Sequence, residues 1–195
     1  MSLHPRQRKH GKAQLRVDEA RRWVETAVDL ADGGEEGAVA ALLALVMGMR
    51  ANEIVSRVVR DLDDGGKLLW IPDSKTEAGR RQLQVPELLQ SHLVAIAEGK
   101  PSEAKLFGHH WRDWVRKWVN RICQAAGVPK VTAHGMRGLQ STLAVENGVS
   151  AHVLAASLGH ESSTTTMASY VRPEAAAGAR QRRMMTVFKG GRLAS

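Results

Sequence analysis

Residues 38–49 form a run of twelve positions without a charged or polar side chain. A membrane-spanning helix needs about 20 apolar residues, so this run is too short to cross a bilayer. Glu35 and Glu36 precede the run, and together they predict a helix over 35–47 that is apolar on every side. Other elements must cover such a helix. We therefore expect one globular domain built around it, with no membrane as a partner.

Helical periodicity continues along most of the 195 residues. Thr132 and Ser150 stand where N-caps are expected, and Gly159 stands where a helix should end. Trp111, Trp114 and Trp118 recur at spacings of three and four, which predicts that they face the core. The predicted helices cover 18–31, 35–47, 50–59, 87–98, 109–126, 133–146 and 150–159, with a last one running from Ser162 and Ser163 through Tyr170.

One segment has a different pattern. Residues 63–66 predict a turn, 67–71 an extended run, 72–79 a polar loop, and 80–85 alternate between polar and apolar side chains. This pattern predicts a small antiparallel sheet inserted between helices. The expected fold class is therefore mainly α with a small antiparallel β-sheet (α+β).

The charge is unevenly distributed along the chain. The sequence has 28 basic and 20 acidic residues, a formal charge of +8. Residues 1–17 and 172–195 each carry +5, which leaves −2 for 18–171, although 108–140 are locally +5. Charge alone therefore indicates basic tails that bind non-specifically as much as it indicates a specific DNA-binding face. It divides the chain into a basic N-terminal arm or linker (1–17), a globular body (18–171), and a C-terminal helix with a basic tail (172–195).

Cys123 is the single cysteine. One thiol excludes a disulfide framework and a cysteine-ligated metal cluster, and the N-terminus lacks a secretory pattern. We therefore expect a cytoplasmic protein.

The candidate motifs are weak when each is taken alone. Arg50 and Glu53 are spaced as an ordinary ion pair within a helix. A lysine such as Lys75 in a hairpin loop is ordinarily solvated, and a single tyrosine such as Tyr170 more often packs than reacts. His134 and Arg137 differ in context, because they fall in the first turns of a capped helix, where backbone N–H groups and the helix dipole favour an anion.

Taken in chain order, these motifs form a joint pattern that resembles the catalytic domain of the tyrosine recombinases, the phage integrase family. The resemblance covers roughly residues 14–175. It implies a mainly α-helical fold with a small sheet, and site-specific DNA recombination or integration through a covalent 3′-phosphotyrosyl intermediate. The motifs that carry it are Gly48-Met49-Arg50-Ala51-Asn52-Glu53, Lys75-Thr76, His134-Gly135-Met136-Arg137, Leu158-Gly159-His160 and Tyr170.

The resemblance also implies a role for each of these residues. Arg50 and Arg137 would clamp the non-bridging phosphate oxygens, and Tyr170 would attack phosphorus. Lys75 would be the general acid. His134 and His160 both remain candidates for the base or for a bond to the phosphate, and Glu53 would orient the cleft. The resemblance implies no cofactor, metal or small-molecule substrate.

The implied partner is double-stranded DNA. The family implies a homotetramer on paired DNA sites, and we expect a monomer without DNA. Residues 173–185 would either pass to a neighbouring protomer or fold back on their own domain. Family members usually carry an N-terminal helical domain that closes around DNA, whereas about 17 residues precede the first predicted helix here. We therefore expect either a catalytic fragment or a chain that works without a full clamp, with weak and salt-sensitive DNA affinity.

Two other functions remain open at this point. One is a non-catalytic DNA-binding or assembly module of the same fold, although such a module needs no nucleophile. The other is a type IB topoisomerase-like enzyme, which would share the chemistry without pairing two DNA sites.

Overall fold

The computed structural model describes residues 14–72 and 80–159. Within these ranges the fold is mainly helical with one small antiparallel sheet, as the sequence predicts, and none of the helices there has the length and apolarity to cross a membrane. Short 3-10 turns at Val59–Asp61 and Asp64–Gly66 flank the first strand. The elements run in the order α1 (Val17–Asp32), α2 (Glu36–Val46), α3 (Ala51–Ser56), β1 (Leu62–Asp63), β2 (Leu68–Ile71), β3 (Arg81–Gln84), α4 (Glu87–Ala97), α5 (Arg112–Ala125), α6 (Ala133–Glu146) and α7 (Ala151–Leu158).

The apolar helix α2 is the centre of the core, which confirms the prediction for 35–47. Every residue from 37 to 45 is buried, and α1, α5 and α6 pack around the helix. Gly37 allows a close approach of α5. A Cβ atom at this position would lie 1.9 Å from Nε1 of Trp118 on α5. The glycine therefore lets the indole pack directly on the α2 backbone.

The tryptophan prediction is wrong for one of its three residues. Trp114 and Trp118 are half-buried against the core, whereas Trp111 is 86% exposed. The helix α5 begins at Arg112 and not at 109, so Trp111 is its N-cap, with an extended backbone (φ −90°, ψ 158°). Helical spacing therefore does not apply to Trp111. Trp114 stacks on the His110 ring with 4.1 Å between the ring centroids.

The sheet has the order β1-β2-β3 and is antiparallel throughout. Leu69 pairs with Leu83, and both side chains are buried on the core face. On the opposite face of β2, Trp70 is 45% exposed. The strand β1 was not predicted, and it pairs Leu62 with Leu69. Residues 73–79, which connect β2 and β3, lie outside the described residues.

The helix α3 ends at Ser56 and does not continue to 59 as predicted. Arg57 takes an extended conformation (φ −63°, ψ 140°), and only 1% of it is exposed. Its guanidinium donates to the carbonyl of Trp70 on β2 (2.8 Å) and to Oδ2 of Asp61 (3.1 Å), while its Nε donates to the carbonyl of Glu53 (2.9 Å). This buried cation joins the end of α3 to the sheet.

The caps of the last two described helices agree with the predictions. Oγ1 of Thr132 accepts a hydrogen bond from the Gly135 N–H (3.0 Å), and Oγ of Ser150 accepts one from the Val153 N–H (3.3 Å). The helix α7 ends at Gly159, whose φ of +65° favours glycine. The predicted helix through Tyr170 and the C-terminal segment lie outside the described residues.

Candidate active site

Arg50 lies at the start of α3, after a tight turn. Gly48 has a φ of +62°, and a Cβ atom there would lie 2.8 Å from Cδ2 of Leu158, so the turn requires glycine. Nη1 of Arg50 donates to Oε1 of Glu53 (2.8 Å), and the Arg50 backbone N–H donates to Oε2 (2.8 Å). The Arg50 side chain remains 38% exposed. One end of this guanidinium is fixed while the group stays accessible.

Glu53 holds a second arginine as well. Nη1 of Arg81 donates to Oε1 (3.2 Å) and Nη2 donates to Oε2 (3.1 Å). Burial by itself would raise the pKa of Glu53. The hydrogen bonds and the charge of Arg81, together with the bonds from Arg50, outweigh that effect and lower the pKa below its ordinary value of 4.5. Glu53 is therefore ionised at neutral pH despite its burial.

This lowered pKa predicts a pH dependence of stability. A carboxylate whose pKa is lower in the folded state contributes stability above its unfolded-state pKa, and that contribution is lost as the pH falls through the folded-state pKa. We expect the free energy of unfolding to fall below pH 4.5, and to fall less steeply in Glu53→Gln. Urea denaturation followed by tryptophan fluorescence across this range measures both slopes. Parallel pH curves for the two proteins would contradict the assignment.

Arg137 lies on the first turns of α6 and is 1% exposed. Its Nη1 donates to the carbonyl of Gly48, and its Nη2 donates to the carbonyl of Leu158 (2.6 Å). The first bond reaches the turn before α3, and the second reaches the end of α7. Arg137 therefore joins the turn before Arg50 to the end of α7.

His134 lies three residues before Arg137 and is exposed to solvent. The Thr132 cap fixes the beginning of the helix that carries both residues. The structure thus places Arg50, His134 and Arg137 on two helix starts that are joined through Gly48. Lys75, His160 and Tyr170 lie outside the described residues.

Arg81 was not among the residues predicted for the site. Its side chain is 8% exposed, and its Nε donates to the carbonyl of Ser157 near the end of α7 (2.8 Å). A sequence signal was available, because Arg81 shares the strand alternation of Leu83 and Val85, both of which are buried. A charged residue on the core-facing side of a strand needs a charged partner. Glu53 is that partner.

Comparison with known proteins gives a family and a fold. The model of the phage integrase family matches residues 14–176. A curated relative, tyrosine recombinase XerA of Saccharolobus solfataricus, is 29% identical over 127 residues. That match covers 64% of this chain and 42% of XerA. The chain therefore spans less than half the length of this relative.

Three solved structures share the fold. The crystal structure of XerA recombinase has a TM-score of 0.71 at 20% identity, covering 97% of this chain and 68% of that one. The post-cleavage complex of XerH site-specific recombinase bound to palindromic difH substrate has a TM-score of 0.68 at 18% identity. That match covers 92% of this chain and 54% of XerH. The Tn1549 transposon integrase in complex with a circular intermediate DNA has a TM-score of 0.67 at 17% identity. That match covers 90% of this chain and 67% of the integrase chain. The match of the family model over residues 14–176 shows that this chain belongs to the phage integrase family.

Proposed function

We propose that this chain is the catalytic domain of a site-specific recombinase that cleaves and rejoins double-stranded DNA. The observation that carries the proposal is the bond from Arg137 to the Gly48 carbonyl, because it joins α6 to the turn that presents Arg50. The relatives support it. XerA is a tyrosine recombinase, the XerH structure is bound to a palindromic difH substrate, and the Tn1549 integrase structure contains a circular intermediate DNA.

The electrostatics suit a phosphodiester. Arg50, Arg81 and Arg137 carry three positive charges, and the ionised Glu53 compensates one of them. A transition state at phosphorus concentrates negative charge on the non-bridging oxygens, and guanidinium groups bind such oxygens through paired hydrogen bonds. In the proposed reaction Arg50 and Arg137 stabilise that charge.

In the proposed cleavage step, the Tyr170 oxygen replaces the 5′ oxygen at phosphorus. The phenol oxygen of Tyr170 forms a bond to phosphorus, and the bond from phosphorus to the 5′ oxygen breaks. Lys75 gives a proton to the leaving 5′ oxygen, and His134 or His160 accepts the phenol proton. The product is a 3′-phosphotyrosine and a free 5′ hydroxyl. Because the phosphoester bond is exchanged and not hydrolysed, the reverse attack by a 5′ hydroxyl rejoins the strand.

The proposal extends to organisation and partners. We propose that residues 18–171 form the catalytic body, 1–17 a basic arm or linker, and 172–195 a C-terminal helix with a basic tail. The assembly would be a tetramer on paired DNA sites, formed from monomers in the cytoplasm.

A nicked suicide substrate tests this function. The nick lets the short product strand diffuse away after cleavage, so the covalent complex accumulates. We expect a denaturation-resistant adduct with the unchanged protein and no adduct with Tyr170→Phe, which keeps the ring and lacks the nucleophile. An adduct that persists in Tyr170→Phe would assign the nucleophile to another residue. No adduct with either protein would favour the DNA-binding module.

A further inference from the structure

We infer that Arg81 is a positioning residue for strand cleavage, because it fixes the position of Arg50 through Glu53 and compensates the negative charge of Glu53. The inference rests on the proposed function. Arg81 itself does not need to touch the DNA in this account.

The two arginines share both oxygens of one carboxylate. Oε1 of Glu53 accepts from Nη1 of Arg50 (2.8 Å) and from Nη1 of Arg81 (3.2 Å). Oε2 accepts from the Arg50 backbone N–H (2.8 Å) and from Nη2 of Arg81 (3.1 Å). Any rotation of the carboxylate that releases Arg81 also disturbs both bonds to Arg50.

The anchoring is stronger on the Arg81 side. Arg81 meets Glu53 with the paired geometry in which two parallel N–H groups face two oxygens. Its Nε donates in addition to the Ser157 carbonyl (2.8 Å), and the side chain is 8% exposed, against 38% for Arg50. A buried group with three hydrogen bonds has little freedom to move. Arg81 therefore holds Glu53 in place, and Glu53 then limits the rotamers of the more mobile Arg50.

Arg81 also sets the net charge of the group that contains Arg50. An isolated pair of Arg50 and Glu53 is neutral, so the carboxylate would repel the same phosphate that Arg50 attracts. Adding Arg81 gives the group of three a net charge of +1. The charge and hydrogen bonds of Arg81 also lower the pKa of Glu53. Glu53 can then orient Arg50 without cancelling its attraction for an anion.

The test is the rate of adduct formation on the nicked substrate, in single turnover and with saturating DNA. We expect Arg81→Gln to slow cleavage by about 10-fold to 100-fold, the range expected when a reacting group is misplaced. In an Arg50→Ala background the same change should slow cleavage by less than about 2-fold, because residues that act through one another are not additive.

A second substrate separates positioning from general damage. A methylphosphonate at the cleavage site replaces one charged non-bridging oxygen by a methyl group. Its transition state therefore carries less negative charge for Arg50 to stabilise. We expect the losses of both Arg50→Ala and Arg81→Gln to shrink on this substrate. Equal losses on both substrates would contradict the inference.

Two further variants complete the design. Arg80→Gln removes the same charge from the adjacent exposed position and should leave the rate unchanged at saturating DNA. Arg81→Lys keeps the charge without the paired geometry, and we expect an intermediate rate. A full cleavage rate in both Arg81 variants overturns the inference. The inference is also overturned if Arg81→Gln slows cleavage as much in the Arg50→Ala background as it does in the unchanged protein. Failure of both Arg81 variants to fold overturns it as well. If the unchanged protein forms no adduct, the proposed function itself fails.

Discussion

Arg137→Ala is expected to lose both stability and cleavage, whereas Arg50→Ala is expected to lose cleavage alone. Removing the Arg137 guanidinium leaves the buried carbonyls of Gly48 and Leu158 without these hydrogen bonds. Each buried polar group left unsatisfied costs about 1–3 kcal/mol, so the free energy of unfolding should fall by about 2–6 kcal/mol. The Arg50 side chain is 38% exposed, and breaking its pair with Glu53 should cost less than about 1 kcal/mol.

Cleavage should respond similarly to both changes. Each arginine is proposed to stabilise charge on the phosphate, and removing one such donor costs about 10²–10³ in rate. Urea denaturation gives the stabilities, and adduct formation at a temperature where all variants are folded gives the rates. Arg137→Lys keeps the charge and guards against loss of folding in Arg137→Ala. Full cleavage by folded Arg50→Ala, or equal destabilisation by the two alanine variants, would contradict this account.

Asp61→Ala is expected to destabilise the fold strongly, although Asp61 lies outside the candidate site. Asp61 is 6% exposed and accepts from Nη1 of Arg57 (3.1 Å) and from the Val58 N–H (3.0 Å). Its removal leaves the 1%-exposed Arg57 without this carboxylate. Breaking a buried ion pair by removing one partner costs about 3–5 kcal/mol.

A neighbouring ion pair provides the matched control for that prediction. Arg60 and Glu103 approach more closely, at 2.6 Å, but their side chains are 63% and 66% exposed. Glu103→Ala should therefore cost less than about 1 kcal/mol. The comparison, measured by urea denaturation, tests whether burial and not distance decides the cost. A larger loss of unfolding free energy for Glu103→Ala than for Asp61→Ala would show that burial does not decide the cost.

Local sequence signals predicted the elements whose causes are local. The apolar run that became α2, the caps at Thr132 and Ser150, and the glycine that ends α7 all depend on residues within one or two helical turns. Such features follow from periodicity and backbone chemistry alone. Together with the alternating pattern of residues 80–85, they predicted the fold class.

Three of the errors came from contacts between distant segments. The helix α3 stops early because the Arg57 side chain is committed to the carbonyl of Trp70, thirteen residues away. The strand β1 has two residues, too few for an alternating pattern, and exists through its pairing with β2. Arg81 was missed because its partners are 28 and 76 positions distant. These positions are fixed by tertiary structure.

We propose that Tyr170 forms the covalent bond to DNA. The chain has a single tyrosine, so the test is unambiguous. Adduct from the nicked substrate, digested with nuclease and trypsin, should yield a nucleotide-bearing peptide that begins at Gly138, with the modification on Tyr170 through a 3′ phosphate. A nucleotide attached to any other residue, or attached through a 5′ phosphate, would contradict the account.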